Sequence, residues 1–341
     1  MKRFSHYILF LWLVTLGGTA NAIEPIPQEA GWSGLVNIGV AYFEGKTNMV
    51  AGVDTVSIDI GNPVIDSLSE EPESESFGMP QLNLNIKYTF STQTQLFIGS
   101  SMEDILQFDT ASVSGVRQQF SDRSIIEFSL VSTPIFVPVQ VWQDPYVVGV
   151  ERQETDRTSL GPRIDYFNIL GSGFGVQYTQ RETELDEELS GTTQLSLTPA
   201  QAQLLDREGD VKRLVGYYRF PPIGRNIFEV RLSQRSDDLD GKAMSGDENQ
   251  IQVTHVYLGE RFTAASNIFV GQKDFDAVNP VFAITREDDT IGLGFVLLDK
   301  KLFGSKDWYG QASAVWVDLD TNIDFYDASS TMVSVGAQYR F

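Results

Sequence analysis

Gln81-Leu-Asn-Leu-Asn-Ile-Lys-Tyr-Thr-Phe90 alternates without a break: Leu82, Leu84, Ile86, Tyr88 and Phe90 against Gln81, Asn83, Asn85, Lys87 and Thr89. A period of two is a strand with one apolar and one polar face. The pattern recurs outward from this stretch. Trp32, Val36, Ile38, Val40 and Tyr42 share one face of an early strand. Leu214, Tyr218 and Phe220 oppose Arg213, Tyr217 and Arg219, and Phe228, Val230 and Leu232 oppose Glu229, Arg231 and Ser233. The chain closes on Thr331, Val333, Val335, Ala337, Tyr339 and Phe341 against Met332, Ser334, Gly336, Gln338 and Arg340.

Soluble sandwiches alternate too. Three features point to a membrane instead. The polar faces are rich in Arg, Lys, Gln, Asn and Gly, as a wet lumen allows. Tyr, Trp and Phe gather toward strand ends, as interfacial girdles do. The links alternate short and long. The pattern places strands near 31–43, 80–91, 93–102, 110–120, 123–133, 156–168 and 172–183. The second half adds 210–220, 226–236, 249–260, 262–272, 288–299, 307–319 and 330–341. Long links fall at 44–79, 134–155, 184–209, 237–248 and 273–287, with 103–109 and 320–329 as shorter members of the set. This predicts an all-β fold, a transmembrane antiparallel up-and-down barrel of about 14 strands in a Gram-negative outer membrane, with 12 or 16 as alternatives. In the link 184–209, Thr198 is placed to cap a helix, with Pro199 at its first position, residues 201–208 following and Gly209 ending it.

Composition narrows the function. The 341 residues carry 46 acids against 25 bases, a formal charge of −21, with no cysteine and two histidines. Such an acidic chain lacks the basic face a nucleic-acid partner demands. Zero cysteine excludes thiol catalysis, disulfides and thiolate metal sites. The 22 Phe, 12 Tyr and 5 Trp are too many for a disordered chain. Lys2 and Arg3, the apolar run 8–16 and Ala20-Asn-Ala22 make a signal peptide over 1–22. Its removal takes two bases and no acid, leaves a barrel domain over 23–341, and moves the charge from −21 to −23.

Catalysis is not expected. The mature chain holds one histidine, His255. Outer-membrane phospholipases place Ser two residues after the catalytic His, where this chain has Tyr257. Aspartate–histidine proteases of that membrane place Asp two before, where it has Val253. No cofactor or metal site is read: there is no EF-hand spacing, and Gly171-Ser-Gly-Phe-Gly175 precedes a strand, not the helix that phosphate binding needs.

Charge is unevenly placed. Residues 44–79 hold eight acids against Lys46, and 182–209 hold seven against Arg207. Bases sit instead on polar strand faces, among them Lys87, Arg213, Arg219, Arg231 and Arg235. Arginine facing lipid costs about 2–4 kcal/mol at the midplane, so these side chains, with Glu229, are expected to line the pore. Two readings stay open: a basic wall beneath an acidic mouth, or lumen charges that satisfy one another. Residues 134–150 are unusually apolar for an outer loop. Trp142, Asp144 and Tyr146 are candidates for a constriction folded over the pore, against a plainer role in packing on other loops.

Lys46-Thr-Asn-Met-Val-Ala-Gly52, Val141-Trp-Gln-Asp-Pro-Tyr146 and Thr155-Asp-Arg-Thr-Ser159 resemble a family of Gram-negative outer-membrane β-barrels recorded only as a domain of unknown function. The resemblance covers nearly the whole mature chain. It implies outer-membrane location and a barrel, and brings no substrate or site residue. The terminal Tyr339-Arg-Phe341 resembles the closing-strand signal read by the barrel-assembly machinery. Outer-membrane lipid and lipopolysaccharide are the other expected partners. The leading function is a porin-like channel or uptake protein for small polar or amphipathic solutes. The alternative is a non-conducting barrel whose acidic loops bind divalent cations or partners.

Overall fold

The computed structural model describes residues 25–341 except 54–57, 92 and 135–137. The expected signal peptide, the turn residue Thr92 and Ile135, Phe136 and Val137 of the apolar loop lie outside the described residues. Fourteen long strands make the wall: β1 Gly31–Lys46, β2 Ser74–Thr89, β3 Thr94–Asp104, β4 Asp109–Gln119, β5 Ile125–Ser132, β6 Glu154–Phe167 and β7 Phe174–Leu185. The ring continues through β8 Gly209–Arg219, β9 Asn226–Leu239, β10 Gly246–Leu258, β11 Phe262–Val278, β12 Thr285–Asp299, β13 Trp308–Thr321 and β14 Ala328–Arg340. All neighbours are antiparallel, and β14 pairs back onto β1. Gly34 and Phe341 exchange both backbone hydrogen bonds, at 3.0 and 3.2 Å, so the terminal aromatic sits in the closing seam. Closure pairs every wall strand with a neighbour on both sides.

The alternation read from sequence sets which side is which. On β1, Ile38, Val40 and Tyr42 are exposed outward while Asn37, Ala41 and Phe43 are buried inward. On β12, Ile291, Leu293 and Phe295 point out, and Val296 and Leu298 point in. Aromatic side chains ring the inner end, with Trp32 against Tyr88 at 5.0 Å and Trp308 against Tyr339 at 5.2 Å between centroids. Tyr42 and Trp316 stand outward nearer the other end. An apolar belt between aromatic rows is how a barrel sits in the outer membrane.

Differences from expectation lie at the outer ends. β2 begins at Ser74, not near 80, and β11 runs to Val278, not near 272. These extensions rise beyond the membrane, where neither face must be apolar, so the period-two signal fades. The helix capped by Thr198 is α1, Pro199–Gln203, with the capping box closed by Gln201. It is shorter than the expected 201–208, because Leu205 turns into the core of the outer loops and Arg207 is held by Glu188. Gly209 opens β8 instead of ending the helix.

The outer links hold three short strands that no alternation announced: Val50–Val53, Ile58–Asp59 and Val139–Trp142. Val139–Trp142 pairs with the top of β6 and with Val50–Val53. This small sheet turns inward: Val50, Val53, Ile58 and Val139 pack with Phe269, Val315, Val317 and Met332 of the facing wall. Gly292 leaves the space that the Phe269 ring occupies.

Candidate functional site: the capped lumen

The inner half of the lumen is filled by a polar network. Lys87, Arg219, Glu229 and Arg231 lie on inward faces of β2, β8 and β9, and Lys87, Glu229 and Arg231 are buried. Glu229 takes Arg219 Nη2 and Arg231 Nε, each at 2.6 Å. Arg117 bonds Glu127 at 2.5 Å and Arg163 bonds Glu103 at 2.6 Å. Of the two readings left open, this half of the lumen has the second, with its charges satisfying one another. In a narrow, partly dehydrated space an unpaired charge is costly, and pairing answers that cost. At the inner mouth Ile26 packs against Ile125, Phe167 and Tyr217, and its N–H donates to Gln119 Oε1 at 2.7 Å.

The outer half is different. It encloses a cavity of about 250 Å³. Its lining mixes charged side chains, among them Arg157, Arg181, Arg213, Arg235, Asp104 and Asp237, with apolar ones, among them Val50, Ile105, Phe269, Val317 and Leu319. The link between β3 and β4, expected as a shorter member of the long set, makes the floor of this arrangement. Ile105 and Phe108 are buried, Phe108 edge-on to Phe43 at 5.2 Å between centroids. Asp104 reaches Arg235 Nη1 at 3.3 Å, and β3 and β9 stand on opposite sides of the ring. Sequence carried a weak sign of this, Ile105-Leu106 and Phe108 in an outer link. A pair 131 residues apart leaves no local trace.

Most cavity charges are paired: Arg181 with Asp109 at 2.6 Å, Lys273 with Asp237 at 2.5 Å, and Arg286 with Asp288 at 2.6 Å. Two of the guanidinium groups lining the cavity donate to neutral oxygens. Arg157 donates to Gln107 Oε1 and O at 3.0 and 2.8 Å. Arg213 donates to Ser233 Oγ at 2.9 Å and Gln250 Oε1 at 3.3 Å. They stand among apolar side chains of the same lining, with Glu248 nearby.

The cap above it is held by a few polar staples. Arg152 is buried and donates to the carbonyls of Asn48, Asn62 and Pro145, with Trp142 under its guanidinium at 4.3 Å. Burial pulls its pKa down to about 9, which still leaves it charged at neutral pH. Asp144 accepts the N–H groups of Tyr146, Gly191 and Thr193 at 2.9–3.1 Å. Tyr146 and Tyr326 share a 2.6 Å hydrogen bond between hydroxyls, and burial raises the pKa of both. Trp142 is 1% and Tyr146 0% exposed. Both rings form the core of the cap that lies over the pore, while Val141 and Tyr326 line the cavity.

His255 lies on the outward face of β10, stacked on Phe228 at 4.8 Å and bonded to Asn226 Oδ1 at 2.9 Å. Among the described residues no three His, Asp or Glu side chains converge as a cation site.

A family model spans residues 31–340, from the first wall strand to the last. The chain belongs to the family described as "Protein of unknown function (DUF2860)". No curated protein matches this DUF2860 sequence. Among solved structures it is similar to OmpT of Vibrio cholerae expressed in the outer membrane, at 11% identity and a TM-score of 0.40, covering 93% of this chain and 100% of that one. It is similar to a FadL homologue of Pseudomonas aeruginosa at 9% identity and a TM-score of 0.43, covering 90% of each. It is also similar to an anion-selective porin from Comamonas acidovorans, at 11% identity and 0.37, covering 92% of this chain and 99% of that one. At such values these likenesses carry nothing about solute or activity of the DUF2860 barrel.

Proposed function

We propose that this DUF2860 barrel is an uptake channel for small amphipathic solutes, held shut at rest by its outer loops. The observation that carries the reading is the cavity: set in the lumen beneath the cap, lined by both apolar and charged side chains, and bearing Arg157 and Arg213, each bonded to neutral oxygens. A space of about 250 Å³ is just below the usual size of small-molecule sites, which suits a compact solute. A lumen meant only as a structural post would gain from filling this space, as the inner half is filled. The surface-interaction alternative draws on the acidic loops, but in the described residues those carboxylates do not gather around a cation position.

Swelling of proteoliposomes tests the reading. Vesicles holding the barrel should swell faster in an isotonic compact aromatic carboxylate than in a disaccharide of equal osmolarity. Arg213→Gln should reduce that preference, and Arg231→Gln, whose partner Glu229 also serves Arg219, should reduce it less. Swelling equal to protein-free vesicles in every solute, with the cap intact and with it removed, contradicts uptake.

A further inference from the structure

One seam in the wall is open. β2 and β3 are matched only from Asn85↔Gly99 to Thr89↔Gln95, five positions. Every other neighbouring pair of wall strands is matched over eight or more. Beyond Asn85, β2 continues to Ser74 along β1, and beyond Gly99, β3 continues to Met102 and Asp104 along β4. The two strands no longer pair with each other.

The sequence is adapted to that edge. Gly34 exchanges backbone bonds with Phe341, so even-numbered residues of β1 address β14. Val40 is one of them, and its opposite number Pro80 therefore turns its backbone away from β1, into the seam. Proline has no N–H to leave unpaired there, and edges are where strands tolerate it. Leu84 N–H, the first beyond the ladder, finds Ser100 Oγ at 3.3 Å in place of a backbone carbonyl. Unpaired backbone at membrane depth survives only where protein covers it or a wet cavity reaches it.

The cavity approaches this seam. Ile105 and Leu106 line it, and Leu106, Met102, Met79 and Phe77 pack on the cluster that contains Ile105. Apolar side chains thus run from the cavity to the splayed strands, two of them flexible methionines that shift at small cost. We propose that the β2–β3 seam is a lateral portal, through which the apolar part of a solute held in the cavity passes into the lipid. This rests on the uptake reading for what occupies the cavity, and adds the route by which it leaves.

The chain has no cysteine, so paired substitutions report cleanly. Were the ladder continued, Asn83 and Ser101 would stand opposite each other. The control is Ser313→Cys with Ser334→Cys on β13 and β14, whose hydroxyls are 2.6 Å apart. In lipid vesicles under mild oxidation the control should form its disulfide at least about tenfold faster than Asn83→Cys with Ser101→Cys, because an open seam exceeds disulfide reach. Equal rates overturn the portal. Hydrogen exchange on the unaltered chain in lipid nanodiscs keeps the idea falsifiable should the variants misassemble. The Leu82 amide should exchange about a hundredfold faster than that of Ile86, which lies in the ladder. Equal protection closes the seam and the proposal with it. Joining the two seam cysteines with a bis-maleimide should slow transfer of N-phenyl-1-naphthylamine into the bilayer, and unchanged transfer overturns the route. Ion current through a cap-deleted barrel is read separately: its absence contradicts the uptake reading, while the exchange and disulfide results still decide the seam.

Discussion

β12 in the wall and residues 139–146 in the cap are both apolar, yet they are held in different ways. β12 is laddered to β11 and β13 along nearly its whole length, with Leu293 facing lipid and Val296 facing the lumen. Residues 139–146 keep four ladder positions with β6 and two with the first loop, and otherwise depend on Arg152, Asp144 and Arg207. Backbone bonds in hydrocarbon cannot be exchanged for water, so a fully laddered strand such as β12 does not leave its neighbours without unfolding. The cap faces water, so releasing it exchanges side-chain contacts for hydration. A barrel with firmly laddered strands such as β12 and a removable cap is suited to admitting solutes one at a time.

The largest effect expected from this contrast is on the wall. Leu293→Arg puts a charge toward lipid near the middle of β12 and should lower unfolding stability by about 2–4 kcal/mol in a urea titration in lipid. Trp142→Ala should leave that wall transition in place. If the cap variant costs the wall as much, the two regions are one cooperative unit and the contrast is broken.

Arg152→Met is next. It strips a donor from the carbonyls of Asn48, Asn62 and Pro145 and should favour the released cap by about 2 kcal/mol, or about thirtyfold. Protease cleavage within 61–73 on intact cells should rise accordingly, while the turn 221–225 stays protected by the periplasmic side. Unchanged cleavage would show that apolar packing alone holds the cap.

The smallest effect is pH. Burial raises the pKa of Asp206 and Asp327 in the outer loops above the ordinary aspartate value. A carboxyl raised in the closed cap binds its proton more tightly there than in the released one. Closure is thus favoured as pH falls into the range between the ordinary and raised values, and that contribution is gone at neutral pH. Glu71, held low by Lys46, acts in the opposite sense but is exposed and screened. Loop exchange rates measured between pH 7 and 4 should slow modestly on acidification. Faster exchange at low pH would assign the control to other carboxylates.

The wall was legible because every membrane strand must show lipid one face and the lumen another, which writes a period of two into Gln81–Phe90 and its counterparts. The inward direction of Arg213, Arg219, Arg231 and Arg235 follows from the same rule. What could not be read was set by pairings between distant segments. Asp104 with Arg235, Arg152 with three carbonyls, and Val50 with Val141 leave no periodic mark. The apolar run from Val139 to Tyr146 announced burial, but not that Trp142 and Tyr146 would serve the cap core and leave the cavity to Val141. Gly78-Met79-Pro80 was readable as an edge, since proline inside a ladder wastes a donor site. Its meaning depended on knowing that β3 leaves β2 at Gly99.

The central claim is that the loops close a conducting lumen, and single-channel recording of the natural chain beside a variant lacking 140–145 tests it most directly. That deletion removes Trp142, Asp144 and the carbonyl of Pro145 that Arg152 holds, but no wall strand. The account predicts small, infrequent openings for the natural chain and a steady conductance about tenfold larger for the deletion, biased toward anions by Arg157 and Arg213. An assembled deletion barrel that conducts no more than the natural chain would contradict it, and would leave the lumen a filled structural post.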